Sequence, residues 1–386
     1  MNRTQRFDAL DSLRGICALL VISYHLRVLG AFTEFQFFRD ADILINFFFI
    51  LSGFVLAHTY GTKSDLDYRA FAISRTFRLF PLHVVMLGVF VVLEFGRWLA
   101  WKGGLPLNNE PFTALFAPIE ILPNLFLLQA WTTLTETMSF NYPSWSISIE
   151  YYVYLLFGGI SLLSMRNRGA LWGLLALVAY FLLIVDNQVM VERALIGISC
   201  FFTGNVVYLG YTWLRPRVAL NRLLMTVLEV VVLALVYYVV VHHFPYRAVL
   251  ASLLFSSVVV VFAFEGGWVT VLMRTSPFKL LGLLAYSIYM THAAVLFCLV
   301  SVFLVAQKLI GFHLSPMVGT HRFLDTGSAL GNHVLSVAVI LTCIGVAALA
   351  HKYIEVPGQA WGRRIIKRKA AGGQIGAPAP VSVREA

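Results

Sequence analysis

Long apolar runs recur along this 386-residue chain, and they constrain its fold more than any other feature. Each run approaches about 20 residues, the length that an α-helix needs to cross roughly 30 Å of hydrocarbon. Only 12% of the residues are charged and 59% are hydrophobic, whereas soluble domains are about 25% charged. This composition excludes a soluble enzyme, a disordered tail protein and a disulfide-stapled secreted domain. The sequence therefore predicts an all-α, polytopic membrane helix bundle.

The uninterrupted apolar stretches predict about ten transmembrane helices. A further semi-apolar segment, 112–131, is interrupted by Pro118 and Pro123 and is predicted to be a re-entrant or interfacial piece rather than a span. Residues 1–366 are expected to form one transmembrane domain, followed by a disordered cytoplasmic tail, 367–386, rich in Ala, Gly and Pro. The approximate bounds of the ten spans are 10–28, 42–60, 79–100, 144–164, 169–186, 194–214, 223–242, 247–265, 280–306 and 333–352.

The Lys and Arg residues test the number and the direction of these spans independently. If the N-terminus is cytoplasmic, most of the 29 Lys and Arg fall in the inner segments, and each inner segment holds at least two. Such an excess on the cytoplasmic side is general among membrane proteins. The distribution predicts an even number of spans with both termini in the cytoplasm. Arg14 and His25 interrupt the first run and no small-residue cleavage pattern follows closely, so we expect a retained helix rather than a signal peptide.

Ionisable residues inside a span are costly, so each one is a candidate for function. Arg14 and His25 of the first span are eleven residues apart, which places them on one helix face and about 16 Å apart along the axis. Asp11 precedes Arg14 by one turn and is expected to pair with it. His25 could serve only as a hydrogen-bond partner of a neighbouring helix. Its shared face with a cation favours a buried polar track in which the histidine exchanges a proton.

Further polar residues repeat this pattern at other spans. Arg75 and Arg78 stand one turn apart at the start of the third span, where they could anchor the inner leaflet or clamp phosphate oxygens. Glu150 lies about two turns into the fourth span and is expected to need a histidine or arginine partner on a facing helix. Tyr286 and His292 place a hydroxyl and an imidazole in the ninth span. The cysteines and histidines show no metal-ligand spacing, so no metal site is expected.

These groups form two tiers, with arginines near the cytoplasmic face and His25, Glu150 and His292 deeper in the bundle. The layout suits a cytoplasmic donor that carries phosphates and a reactive end, such as acyl-CoA. The sequence contains no Walker A motif, no dinucleotide-binding glycine fingerprint and no nucleophile elbow. The residues alone are therefore as consistent with a proton-coupled transporter or flippase of a glycan or small molecule as with acyl transfer.

Six short motifs follow one another in order along the chain. They are Phe7-Asp-Ala-Leu-Asp-Ser-Leu-Arg14-Gly with His25 after ten intervening residues, Asn46-Phe-Phe-Phe-Ile-Leu-Ser52-Gly53-Phe54, Arg75-Thr-Phe-Arg78-Leu-Phe-Pro81, Ser144-Trp145-Ser146-Ile-Ser-Ile-Glu150-Tyr-Tyr, Tyr286-Ser287-Ile-Tyr289-Met-Thr-His292 and Tyr353-Ile-Glu355-Val-Pro357. In this order they resemble the acyltransferase-3 family of membrane O-acyltransferases, over about residues 7–365.

The resemblance implies transfer of an acyl group, most often acetyl, from cytoplasmic acyl-CoA to a hydroxyl of a cell-surface polysaccharide, lipopolysaccharide or related glycan. It places the protein in the bacterial plasma (inner) membrane, with acyl-CoA as a co-substrate and no bound cofactor or nucleic acid. His25 would be the general base, with an acyl-histidine intermediate as the less favoured variant. Arg14 would be its essential partner, and Glu150 would orient the histidine or the acceptor. By the same resemblance, acyl-CoA would contact Arg75, Arg78, Ser52 and Tyr286, and the acceptor would contact Trp145, Ser146 and His292.

Overall fold

Helices make up nearly all of the structure, as the composition predicts. The computed structural model describes residues 6–61, 63, 66–104, 109–163, 165–185, 190–218, 221–311 and 313–374, with side chains for all of these except 165–166 and 369–374. Strands β1 (Met317–Val318) and β2 (His321–Arg322) form a small antiparallel hairpin. The helices are α1 (Asp8–His25), α2 (Gln36–Arg39), α3 (Ile45–Leu56), α4 (Tyr68–Lys102), α5 (Ile121–Leu125), α6 (Ser144–Ile160), α7 (Met165–Ile184), α8 (Glu192–Leu214), α9 (Arg222–Val241), α10 (Arg247–Ala263), α11 (Trp268–Met273), α12 (Ser276–Ile310), α13 (Ala329–Ala350) and α14 (Val356–Gln374).

Each of the ten predicted spans coincides with one of these helices, and the protein is a multi-pass membrane protein. Within the described ranges, seven helical segments are long and apolar enough to cross a membrane. The other three predicted spans correspond to α1, α6 and α10. Helices α6 and α10 have only 17 residues each, and α1 carries Asp8, Asp11 and Arg14 within its 18 residues. The count of ten spans and the cytoplasmic position of the termini stay predictions.

Helices α1 and α12 lie side by side with their backbones in contact. A Cβ atom at Gly15 would stand 2.3 Å from the carbonyl carbon of Leu281, and one at Gly282 would stand 2.6 Å from the carbonyl oxygen of Asp11. In a membrane, small residues allow this close approach and so supply the packing that holds two helices together. Gly15 directly follows Arg14 in the sequence. The glycine contact therefore fixes the rotation of the helix that carries this arginine.

Helices α3 and α8 meet in the same way. A Cβ atom at Gly53 would stand 1.9 Å from the carbonyl oxygen of Phe201, and one at Gly204 would stand 2.0 Å from that of Ile50. Gly53 directly follows Ser52. Because neighbouring residues on a helix point about 100° apart, the glycine can face α8 while the serine faces the interior of the bundle. This contact between α3 and α8 therefore positions Ser52, a candidate site residue.

The segment 112–131 is not a continuous helix. It contains two short 3₁₀ turns and α5, and it follows α4 from near its end toward its middle. The backbone N–H of Phe112 donates to Glu94, 2.9 Å away, and the carbonyl oxygen of Asn124 accepts from His83, 2.7 Å away. Glu94 and His83 are eleven residues apart on α4, or about 16 Å. This descent along a spanning helix favours the re-entrant alternative, while the side chains of Ile119, Leu122 and Phe126 remain exposed.

The C-terminal part of the described chain packs back on the bundle. A π-helical turn, His351–Glu355, joins α13 to α14. A Cβ atom at Gly358 would stand 2.5 Å from the Pro81 side chain, so α14 lies directly against α4. Helix α14 extends past the predicted boundary at 366 to Gln374. The remaining part of the predicted tail, 375–386, lies outside the described residues.

Substitution of Gly204 by alanine is expected to destabilise the protein, because its methyl group would collide with the backbone of α3. Overpacking of this kind costs about 1–3 kcal/mol in the free energy of unfolding. Gly210→Ala on the same helix is the matched control, since nothing lies within 4 Å of its added Cβ. Titration with SDS in mixed micelles measures both. Equal stability of the Gly204→Ala and Gly210→Ala variants would contradict the close crossing of α3 and α8.

Candidate active site

Two cavities lie along α1, one containing Arg14 and the other containing His25. The cavity that we call the arginine pocket has a volume of about 50 Å³, and its polar lining residues are Arg14, Ser52, Arg78, Ser146, Glu150, Tyr286 and Tyr289. The other, the histidine cavity, has a volume of about 360 Å³, within the range of small-molecule sites. Its lining includes His25, Asp42, Asn46, Tyr142, Trp145, Arg193, Arg247 and Tyr289. Ile45 and Tyr289 line both cavities and so form a wall between them.

Glu150 is held in the arginine pocket by two hydroxyl groups. Ser52 donates a hydrogen bond of 2.7 Å to its carboxylate, and the Tyr154 hydroxyl donates to the same oxygen. Arg78 of the facing helix α4 lines the same pocket, but no direct ion pair to Glu150 occurs among the described residues. Neutral O–H donors satisfy a buried carboxylate without cancelling its charge.

The arginines near this pocket have different surroundings. Arg14 pairs with Asp11 at 3.3 Å, which confirms the predicted contact. Arg78 also lines the pocket, and within the described part of the chain it has no hydrogen bond or ion pair. Arg75 does not line the pocket. Its guanidinium packs within 5.7–5.8 Å of three aromatic rings, those of Tyr60, Phe71 and Tyr154. Arg14 is paired with Asp11, which leaves the guanidinium of Arg78 as the group of this pocket that an anionic ligand would meet.

The remaining hydroxyl groups of the arginine pocket fix its walls. Tyr286 donates a hydrogen bond of 2.6 Å to the carbonyl oxygen of Leu79, which ties α12 to α4. Ser146 donates to the hydroxyl oxygen of Tyr289, 2.9 Å away, which ties α6 to α12. Tyr289 is therefore held in place as part of the wall between the two cavities.

His25, which lines the histidine cavity, lies against the imidazole of His292, which is buried and is not among the lining residues. The rings of His25 and His292 stack with centroids 5.4 Å apart, and the Tyr142 ring is 4.5 Å from that of His25. His292 Nδ1 is 2.8 Å from the carbonyl oxygen of Tyr289. Because a carbonyl oxygen only accepts, Nδ1 carries the proton. The buried Nε2 atom of His292 has no partner among the described residues, so a hydrogen-bond acceptor remains available beside His25.

The end of α1 is anchored by an arginine that sequence reasoning did not select. His25 is the last residue of α1, and Arg39 donates to the carbonyl oxygens of Ser23 and, at 3.1 Å, Leu26. Cationic side chains commonly satisfy the free carbonyl groups at a helix C-terminus. The Glu34 carboxylate lies 3.7 Å from Arg39 and stabilises it in turn. This contact holds the final turn of α1, and with it the backbone of His25.

The structure separates residues that the family resemblance places in one catalytic group. Glu150 lines the arginine pocket and His25 lines the histidine cavity, so Glu150 does not orient His25 by direct contact. Trp145 faces the histidine cavity, whereas its neighbour Ser146 faces the arginine pocket. The roles assigned to these residues in binding and catalysis stay predictions.

Several residues that line the cavities or contact their side chains were missed at the sequence level. Tyr154 is one turn beyond Glu150, and this i, i+4 spacing could have indicated the contact. Tyr142 immediately precedes the Pro-Ser-Trp-Ser stretch. Arg193 carries no local signal, because its position in the cavity depends on how α8 packs against α6. Asp42 likewise precedes the apolar run of α3 and reaches the cavity only through the fold.

A helical membrane bundle with charged side chains grouped in internal cavities is characteristic of membrane proteins that act on a ligand within the bilayer. The comparison with known families agrees. The family described as an acyltransferase domain matches residues 7–352, nearly the whole chain. The chain therefore belongs to the acyltransferase-3 family.

Individual relatives cover different parts of the chain. Protein 2 in picA locus, from Rhizobium radiobacter, is 32% identical over 38% of this chain and 78% of that protein. Acyltransferase MdmB of Streptomyces mycarofaciens is 30% identical over 40% of this chain and 39% of that protein. YrhL of Bacillus subtilis (strain 168), provisionally named a peptidoglycan O-acetyltransferase, is 25% identical over 93% of this chain and 56% of that protein. The chain thus spans less than two thirds of MdmB and YrhL. No solved structure shows a significant match.

Substitution of Tyr154 by phenylalanine is expected to destabilise the arginine pocket, because Glu150 would keep only the Ser52 hydroxyl as a donor. Loss of a hydrogen bond to a charged group costs about 1.5–3 kcal/mol. Tyr237→Phe is the matched control, since Tyr237 is exposed on α9 and stacks on Phe37 through its ring. Unfolding in mixed micelles measures both variants. A Tyr154→Phe protein as stable as Tyr237→Phe would contradict the contact with Glu150.

Proposed function

We propose that this protein is a membrane O-acyltransferase that moves an acyl group, in the first instance acetyl, from acyl-CoA to a hydroxyl of a glycan. The observation that carries the proposal is the pair of cavities along α1, one lined by two arginines and the other lined by the histidine that stacks on His292. Membership of the acyltransferase-3 family supports it. We also propose ten spans, cytoplasmic termini and a place in the bacterial plasma membrane.

The donor would enter at the end of the bundle where α1 and α4 begin. Arg78 and Arg14 would meet the phosphate groups of acyl-CoA, because guanidinium groups match phosphate oxygens in geometry and charge. The arginine pocket, at about 50 Å³, has no room for the nucleotide, and it would have to widen to admit the pantetheine arm. The nucleotide would therefore stay at the mouth, and the thioester would reach past Ile45 and Tyr289 toward His25.

The acceptor would occupy the histidine cavity, whose volume of about 360 Å³ suits a sugar unit. His25 would take the proton of the acceptor hydroxyl as that oxygen attacks the thioester carbonyl carbon. The carbon–sulfur bond would then break, an ester would form, and the CoA sulfur would leave and take up a proton as free CoA. His292 itself does not line the cavity, so its buried Nε2 atom would accept a hydrogen bond from the His25 ring rather than from the acceptor.

A glycan is the proposed acceptor class on two grounds. The histidine cavity combines the rings of Trp145, Tyr142 and Tyr24 with polar side chains, a composition that provides flat faces and hydrogen-bond partners. The provisional name of YrhL refers to O-acetylation of peptidoglycan, which is a glycan polymer. The chain covers 56% of YrhL, so its own acceptor is a matter for direct measurement.

Substitution of His25 by alanine is expected to lower acylation of the acceptor by a factor of about 10²–10⁴, because the reaction loses its general base. Mass spectrometry of cell-envelope glycans from cells that express either form measures the ester content. His313→Ala is the control, since His313 is exposed in the loop that follows α12. Unchanged acylation in the His25→Ala cells, with the protein present in the membrane, would refute the proposed function.

Substitution of Arg78 by glutamine is expected to raise the KM for acetyl-CoA by about tenfold or more, because an unpaired guanidinium would no longer meet a donor phosphate. Purified protein in lipid nanodiscs and radiolabelled acetyl-CoA provide the measurement. Arg364→Gln removes one positive charge from an exposed position on α14, which packs on α4. If both variants raise the KM equally, the effect is one of general charge and the proposed phosphate contact is wrong.

A further inference from the structure

The histidine cavity contains an arginine whose guanidinium contacts an aromatic ring but no carboxylate of the described residues. Arg193, near the start of α8, packs its guanidinium over the Trp145 ring at 5.3 Å. Within the described part of the chain it has no hydrogen bond and no ion pair. A guanidinium group offers five N–H donors in a fixed fork. These donors face the cavity that His25 also lines, so they are available to a ligand.

The other charged residues of the cavity do not neutralise Arg193. Arg247 is committed to the backbone, because it donates to the carbonyl oxygens of Val239, at 2.9 Å, and Val240. Asp42 is exposed and forms no ion pair with a described residue. Two arginines and one aspartate leave the histidine cavity with a net positive charge. A partly buried, unpaired charge is costly for a protein to keep, and an anionic ligand would remove that cost.

The contact with Trp145 suits Arg193 to binding an anionic ligand. A cation over the face of an aromatic ring is attracted to that ring, and the N–H groups of the guanidinium remain able to form a bidentate pair with a carboxylate or phosphate. The Trp145 ring also lies 6.3 Å from that of Phe49. The contact with Trp145 therefore places the guanidinium at the cavity without using its hydrogen-bond donors.

We propose that Arg193 binds an acidic group, a carboxylate or a phosphate, on the acceptor glycan. This inference rests on the proposed function, since it takes the histidine cavity as the acceptor site. Bound in this way, the acidic group lies at the arginine while a hydroxyl of the same or the adjacent sugar lies at His25. Asp42 supplies acceptor oxygens to further hydroxyl groups. Arg193 is thus a specificity-determining residue that selects acidic over neutral glycans.

Glycan-array binding tests this selection. The protein, purified in nanodiscs of phosphatidylcholine, is applied to an array that carries neutral glycans, glycans with uronic acids and glycans with phosphate groups. We expect the acidic glycans to be retained, and we expect Arg193→Gln to weaken that retention by about tenfold or more. Arg193→Lys, which keeps the charge and loses the fork, should fall between the two. The relative retention of uronic acids and phosphates identifies the acidic group.

Two controls separate this inference from its alternatives. Lys308→Gln removes a positive charge from an exposed position near the end of α12, and it should bind as the unsubstituted protein does. In nanodiscs that contain phosphatidylglycerol, glycan binding should persist. Its loss there would show that the guanidinium binds lipid headgroups, and would overturn the proposal.

The inference and the proposed function can fail separately. The His25→Ala protein should still retain acidic glycans while it no longer acylates them. The acidic-acceptor inference would be refuted if the protein retained only neutral glycans or retained no acidic glycans. It would also be refuted if the Arg193→Gln and unsubstituted proteins retained acidic glycans equally. The proposed function is tested separately, by the loss of acylation in His25→Ala cells. None of these binding results changes the outcome of that test.

Discussion

Backbone contact between helices at glycine residues is the constraint on which the arrangement of the site depends. Gly15 and Gly282 bring α1 and α12 together, and ten residues further along each helix stand His25 and His292. The two imidazoles stack because the helices that carry them are held in register and close together. Side-chain packing alone would leave the helices farther apart, since membranes provide little hydrophobic drive between apolar surfaces. The glycine contacts therefore set the distance between the imidazoles of His25 and His292, which lie ten residues further along the two helices.

The sequence predicts the helical class and the positions of ten helices, and several of the polar residues that it singles out do line cavities, because charged groups are so rare in apolar runs. Arg14, Ser52, Glu150 and Tyr286 do share one pocket. The division of the site into two cavities could not be predicted. That division depends on which side chains of α3 and α12 meet, namely Ile45 and Tyr289. Hydrophobic periodicity indicates the buried face of each helix, but it does not indicate which neighbouring helix packs against that face.

The partners of charged residues were the least predictable part. A rule that pairs opposite charges led to a cation for Glu150, and the structure provides the hydroxyl groups of Ser52 and Tyr154. Among the described residues, Arg78 and Arg193 remain without a carboxylate. A buried charge without a partner lowers the stability of the fold. Both arginines line cavities, where a ligand could supply the missing partner. Arg14 and Asp11, one turn apart, are the case in which local spacing did suffice.

The wall formed by Ile45 and Tyr289 has a consequence for the membrane itself. A protein that carried its whole substrate across would need a continuous path, and such a path also admits protons and ions. Here the hydroxyl of Tyr289 is engaged by Ser146, and the cavities end on opposite sides of that contact. Under the proposed function, only the acyl arm of the donor needs to pass. A cell could then modify molecules beyond its membrane with an internal metabolite and keep its electrochemical gradient intact.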